Sequence, residues 1–417
     1  MRILMLSPAY PLPPDNAAKR RILVTASQLS QNCDLTLLSL REPQSLSINP
    51  GGNDEALWQD SLIDQPIKSK WQTALKAAFS KNSYSQVKYW NRNLQESMGR
   101  ILTTQNFDCL WIQFLFMVNY IEPFFSKSRW SRKHSRPILV LDQHNVDEIT
   151  FRSFLTGQTS YPLKFYAAVE WVKARHLQKR WFPRFDAILC VSPEDLQKTA
   201  EYVDNSSSLW LAPNGVDIEY FRPLAPQDSG DRKSILVFGG SLDVKMNQDA
   251  VLWFSASILP LIKRRIPDVR FWVVGRTPPP EIWKLAEQEG VKITGTVADV
   301  RDYYRQAKVF VVPLRLGGGT KLKTLEAMAM GLPIVSTAVG AQGLDIKSGQ
   351  HICIADRPED FAARVVELIA EPDKARGLGA EARRLVEKKY SWSGIMRDVE
   401  DKLKNLFDKR ESEKKRF

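Results

Sequence analysis

The chain has 417 residues, 43% of them hydrophobic and 25% charged, an ordinary globular composition too long for one typical core, so two domains are expected. A net charge of +12 permits attraction to anionic lipid, nucleic acid or phosphorylated substrates without choosing among them. The four cysteines, Cys33, Cys109, Cys190 and Cys353, form no close pair, and His134, His144, His176 and His351 have no zinc-ligand spacing. A disulfide framework and a zinc module are therefore set aside, and buried thiols in a reducing compartment fit best.

Residues 2–7 read as a short buried strand, too brief before Pro8 for a secretory signal peptide. The loop 8–16, a helical pattern over 17–29 and a strand over 34–40 follow. Strand, loop, helix, strand at this spacing opens a parallel α/β sheet, which puts ligands at the carboxyl ends of its strands. Residues 41–64 are polar and rich in Ser, Asn and Gly, and are expected to form a long loop.

Lys68, Lys70, Trp71, Lys76, Lys81, Lys88, Trp90 and Arg92 then stand against Glu96 alone. Such a basic, aromatic surface suits an anionic membrane. Alternatively, Trp71, Leu75, Phe79 and Tyr89 pack inward and the lysines are merely solvated. The second reading is preferred, because helix faces are usually explained by core packing. Lys127, Arg129, Arg132, Lys133 and Arg136 around Trp130 add weight to the first. The longest apolar run, 111–125, contains Gln113, Asn119, Glu122 and Pro123 and does not suit a bilayer span.

Residues 107–113 and 138–142 are further buried strands, the second running into Asp142-Gln143-His144-Asn145. His144 is there either a ligand group or a cap for a helix over 146–154. Residues 187–192 form a strand before a helix start at Ser192-Pro193-Glu194-Asp195. Pro213-Asn214-Gly215 is a turn, and 224–233 is a polar linker. A second start follows: 235–238 runs into Gly239-Gly240-Ser241 and weakly resembles residues 2–7, suggesting two Rossmann-like halves. Residues 270–274 end at Gly275-Arg276, and 291–294 lead to Gly295-Thr296-Val297-Ala298-Asp299.

The most informative stretch is 313–337, PLRLGGGTKLKTLEAMAMGLPIVST. It reads as a strand end, a glycine turn, a short helix and another strand. Gly317, Gly318 and Gly319 let backbone approach a ligand closely, and Thr320 is placed to N-cap a helix beginning Lys321-Leu322-Lys323. Unpaired N–H groups, the positive helix end and Lys321 would converge on one anion site, best suited to phosphate. Leu322, Leu325 and Ala329 share the sheet-facing side of the helix. Glu326 lies off its centre, where a carboxylate can accept two hydrogen bonds from a ribose diol. The plain alternative is a structural connection with a Lys323–Glu326 surface pair. The spacing is not that of a P-loop.

This segment resembles the donor-binding signature of retaining glycosyltransferases of the GT-B fold, group 1 (family four). The match at Glu326-Ala327-Met328-Ala329 is close, as is that of 211–223 to the family's interdomain junction. The first Glu of the family's E-x7-E is replaced by Gly318. The resemblance implies an α/β GT-B fold with two Rossmann-like domains facing each other across a cleft. It implies an acceptor-side domain over 1–222, a donor-binding domain over 223–390, and a closing helix and tail over 391–417. The highly charged end, 409–417, is expected to fray.

The implied activity is transfer of a sugar from a UDP- or GDP-sugar to an acceptor hydroxyl with retention, in polysaccharide or glycolipid synthesis, with no metal required. Glu326 would hold the ribose, and Lys321 would act on the departing diphosphate. Gly318, Gly319, Thr320, Lys323, Arg315, Ser241, Lys245, Arg276 and Val297 would line the donor site; Ser241 stands at the family's usual Arg position. His144 would approach the sugar hydroxyls, and Asp15 and Asn16 the acceptor. The acceptor would be a saccharide or lipid-linked sugar, with no nucleic acid bound, in the cytoplasm and on the inner face of the membrane if peripheral contact occurs. A GT-B sugar-nucleotide epimerase or hydrolase, and a non-catalytic nucleotide-sugar binding module, are the alternatives.

Overall fold

The computed structural model describes residues 1–14, 16–41, 58–66, 68–126, 136–156, 161–223, 234–317 and 319–414. It divides into two compact units: Met1–Pro213 with Met396–Phe417, and Asn214–Ile395.

The first unit is built on seven strands: β1 (Arg2–Ser7), β2 (Asp34–Arg41), β3 (Gln59–Asp64), β4 (Cys109–Gln113), β5 (Ile138–Gln143), β6 (Ala187–Cys190) and β7 (Leu209–Leu211). All pair in parallel, in the order β3-β2-β1-β4-β5-β6-β7. Apart from the exposed Arg2, the central strands are buried, as ILMLS and ILVLDQ require when helices cover both faces. Strand order reverses between β1 and β4, so the crevice at their carboxyl ends is where such a sheet takes a ligand. From Met396 onward the last helix packs on this unit: Arg410 lies 3.4 Å from Asp186, which also binds Arg136 at 2.7 Å.

Three expectations need correction here. Residues 59–64 form strand β3, not loop, because the half-buried run Ser61, Leu62 and Ile63 pairs with the open edge of β2; residues 42–57 lie outside the described residues. The last helix continues to Lys414 instead of fraying from Lys409.

The third correction is larger. The helix Lys70–Ala78 buries the small side chains of Thr73 and Ala77. Trp71, Leu75 and, just beyond its end, Phe79 are instead 79%, 54% and 88% exposed. The inward packing preferred from the sequence does not occur, since only small side chains fit where this helix meets its neighbours. Tyr89 alone turns in, stacked on Phe116 at 5.0 Å. The second basic cluster, apart from Arg136, lies outside the described residues. No helix among the described residues is long and apolar enough to cross a membrane.

The second unit repeats the plan with β8 (Ile235–Gly239), β9 (Arg270–Val274), β10 (Val291–Ile293), β11 (Val309–Val312), β12 (Ile334–Ser336) and β13 (Cys353–Ile354). They pair in parallel in the order β10-β9-β8-β11-β12-β13, with the reversal between β8 and β11. Phe238, Phe254, Phe271, Phe310 and Phe361 are fully buried around this sheet. The loops after β8 and β9 touch: a Cβ on Gly275 would lie 1.9 Å from the Gly240 carbonyl oxygen.

Candidate functional site

In the second unit the reversal point brings together the loops after β8 and β11. After β11, Gly317 and Gly319 take φ values of +104° and +70°, which residues with a Cβ rarely adopt. They turn the chain into the helix Leu322–Ala329. Its N-cap is Lys321 and not Thr320, and no side chain among the described residues caps it. The Thr320 hydroxyl instead approaches the Gly343 carbonyl at 3.4 Å. The first helical N–H groups are thus left without a side-chain cap, beside a lysine that is only 7% exposed. Lys321 Nζ donates to the Gly319 carbonyl at 2.8 Å, and burial pushes its pKa down to about 8. Gly318 lies outside the described residues.

One turn on, Leu325 and Ala329 are fully buried against the sheet, as their spacing predicts, and Leu322 is packed against the core. Glu326 is 7% exposed, so it does not form half of a surface pair. Lys323 points to the β8 side: its Nζ donates to Asn247 Oδ1 at 2.6 Å and lies 4.1 Å from the centroid of the Phe238 ring. Burial pushes its pKa down to about 7, with Glu326 opposing the shift and Lys321 adding to it. Gly240 makes room for this ammonium, since a Cβ there would sit 2.5 Å from Nζ.

Asn247 Nδ2 donates to the Ser241 carbonyl at 2.6 Å, while Arg276 Nε donates to Ser241 Oγ at 2.8 Å. Lys323, Asn247, Ser241 and Arg276 therefore form one polar chain that holds the β8 loop. Ser241 works as a relay in that chain, and its hydroxyl donates to Asp243 at 2.6 Å. Arg315 is engaged by both Asp249 oxygens, so its charge is already matched. Lys245 is exposed at the start of the helix Lys245–Trp253. Val297 is partly buried against the core, in the loop after β10 where Gly295 has φ +66°. Asn247 and Asp249 carried no signal in the sequence, because their partners lie 76 and 66 residues away.

In the first unit the corresponding crevice holds a buried ion pair. Arg21 Nη2 lies 2.7 Å from Asp142 Oδ1, with both side chains almost wholly buried, and Arg21 Nη1 donates to the Ala212 carbonyl at 2.9 Å. Asp142 Oδ2 is buried with no hydrogen-bond partner among the described residues. Two residues on, His144 Nε2 lies 2.7 Å from Gln113 Oε1, and its ring stacks on Phe114 at 3.9 Å. Burial pushes the His144 pKa down to about 3, Asp142 opposing and Arg21 reinforcing.

His144 is therefore a neutral imidazole and not a helix cap; the following helix is Asp147–Thr156. Phe114 holds φ +69°, an uncommon conformation for a residue with a side chain. Asn16 N-caps the helix Ala17–Asn32, its Oδ1 accepting from Lys19 N at 3.0 Å. Asp15 lies outside the described residues. Arg21, Gln113 and Phe114 are the residues that sequence reading passed over.

With this geometry in view, similarity to known proteins becomes informative. Residues 233–371 match the family described as Glycosyl transferases group 1. A GDP-mannose-dependent alpha-(1-6)-phosphatidylinositol monomannoside mannosyltransferase of Mycobacterium tuberculosis is 27% identical over 254 residues, 55% of this chain. The alignment spans 65% of that protein, less than two thirds of its length. Among solved structures, sucrose-phosphate synthase from Thermosynechococcus elongatus superposes with a TM-score of 0.71 at 14% identity, covering 98% of this chain and 99% of that one. Anabaena HepE in complex with UDP superposes with a TM-score of 0.63 at 13% identity, covering 97% and 100%. These likenesses show the fold, which is GT-B.

Proposed function

We propose, from the match of residues 233–371 in the second unit to the group 1 glycosyltransferase family, that the chain transfers a sugar from a UDP- or GDP-sugar to an acceptor hydroxyl with retention, in glycolipid or polysaccharide synthesis. The observation that carries the reading is the convergence after β11 of an open glycine turn, a helix N-terminus without a side-chain cap among the described residues, and the buried cation Lys321. Such a site is complementary to a diphosphate, and more so to the charge that develops as it leaves.

In the proposed reaction the bond from the anomeric carbon to the phosphate oxygen breaks. The acceptor oxygen bonds to that carbon, and its proton passes to the departing diphosphate. Lys321 and the helix N–H groups stabilise the negative charge without a metal. Glu326, one turn further along, accepts the ribose hydroxyls, and the chain Lys323–Asn247–Ser241–Arg276 fixes the β8 loop around the phosphates. Gly319 and Thr320 border the turn, Val297 and its neighbours offer backbone groups to the base, and His144 and Asn16 serve sugar and acceptor hydroxyls.

A lipid-linked acceptor is favoured over a freely soluble one by the helix Lys70–Ala78. Trp71, Leu75 and Phe79 form its outward stripe, and no acidic residue occurs between Lys68 and Gln95. A protein of this design would meet an anionic membrane reversibly from one side. The deciding experiment incubates the chain with UDP-glucose or GDP-mannose, with and without a lipid extract. Transfer only with the extract supports the proposal. Turnover of donor without acceptor would identify a hydrolase or epimerase instead, and binding without turnover a non-catalytic module.

A further inference from the structure

Gln113 is the last residue of β4 and is fully buried; its register partner on β5 is Asp142, two residues before His144. Its amide has two neighbours of different chemistry. On one side is the Met5 sulfur at 3.7 Å, which can only accept; on the other is His144 Nε2 at 2.7 Å. The NH2 therefore belongs toward the sulfur and the carbonyl oxygen toward the ring, so the ring nitrogen must donate. With one ring proton committed to Nε2, Nδ1 is a bare acceptor, and it has no partner among the described residues. Phe114 covers one face of the ring, and its own N–H is tied to the Asp142 carbonyl at 3.1 Å, so the imidazole is held in orientation as well as in tautomer. Low pKa from burial fits the same picture, because a second proton is disfavoured.

We infer that Gln113 is a positioning residue that holds His144 in the Nε2–H form and so offers Nδ1 as a hydrogen-bond acceptor to a hydroxyl of the bound sugar. This rests on the reading of His144 as a sugar-facing group. A neutral acceptor suits a hydroxyl and gives no attraction to phosphate.

The test is the tautomer itself, read on the full chain labelled with 15N-histidine by long-range proton–nitrogen correlation. The four histidines make the spectrum small, and H144Q assigns the signal. Wild type is expected to show the Nε2–H pattern for His144, with no titration near neutral pH. Q113L should give an averaged pattern of both tautomers. Q113E, which keeps an acceptor oxygen in place, should restore the Nε2–H pattern and raise the pH at which the ring titrates.

An Nδ1–H pattern in wild type, or a Q113L spectrum identical to wild type, overturns the inference. Should Q113L fail to fold, wild type and Q113E decide it on the same criterion. Addition of UDP-glucose or GDP-mannose, each with a lipid extract, should then shift Nδ1 selectively. A correct tautomer that responds to neither overturns the ligand half, and with it the sugar-facing reading of His144. Donor binding in the second unit would stand untouched by that result.

Discussion

Lys321→Met separates a functional lysine from a structural one, because the two roles move stability in opposite directions. Burial holds Lys321 at a pKa of about 8, against an ordinary value of 10.5. The unfolded chain thus binds the extra proton between those pH values and the folded chain does not. Folded-state stability contributed by this group rises with pH across that window and is lowest below it. Removing the ammonium should therefore raise the melting temperature at pH 7 and flatten its rise with pH. The same change should remove a charge-assisted contact to the diphosphate, worth about 1.5–3 kcal/mol, or roughly ten- to a hundredfold in kcat/KM.

The pH dependence is a second handle on the same residue. About nine-tenths of Lys321 is charged at pH 7 and about one-tenth at pH 9. Affinity for GDP-mannose or UDP-glucose should then fall about tenfold between these values, by titration calorimetry, with proton uptake on binding above pH 8. Lys323, with its pKa of about 7, contributes a separate component centred lower, which Lys323→Met removes. A Lys321→Met protein that melts earlier, transfers at the wild-type rate and keeps the pH profile would refute the assignment.

Glu326→Ala should weaken nucleotide binding by roughly 1–3 kcal/mol with the fold retained, and unchanged affinity would remove the ribose role. Arg21→Met strands the buried Asp142 carboxylate and should cost about 3–5 kcal/mol in urea unfolding at pH 7; a loss below about 1 kcal/mol would mean that Asp142 finds another partner. Wild-type protein should cosediment with anionic vesicles at low salt and release at high salt, as lysines near such a surface contribute about 1 kcal/mol each. The double change of Trp71 and Phe79 to Ser should abolish that binding even at low salt, whereas failure of the wild type to sediment would leave the exposed stripe without a membrane role.

Much of this protein could be read along the chain. Fully buried parallel strands announce themselves as runs such as ILMLS and VFVV, because both faces are covered and no alternation is left to hide them. The helix Leu322–Ala329 was legible because its chemistry is local: glycines, a lysine and a carboxylate lie within about three turns of one another. The resemblance of 313–337 to a donor-binding signature rested on the same compactness.

What tertiary structure decided concerns side chains whose partners are remote. Lys323 and Lys321 are alike in sequence, yet Asn247 and the Phe238 ring draw one inward while the other stays at the turn. Arg315, expected to line the donor site, has its charge matched by Asp249, 66 residues away. The helix Lys70–Ala78 shows the same limit in reverse. Its periodicity gives an apolar stripe but not what faces that stripe, and here Thr73 and Ala77 go inward while Trp71, Leu75 and Phe79 face outward. Periodicity is a property of one helix, whereas burial is a property of two surfaces, and only the folded chain supplies the second.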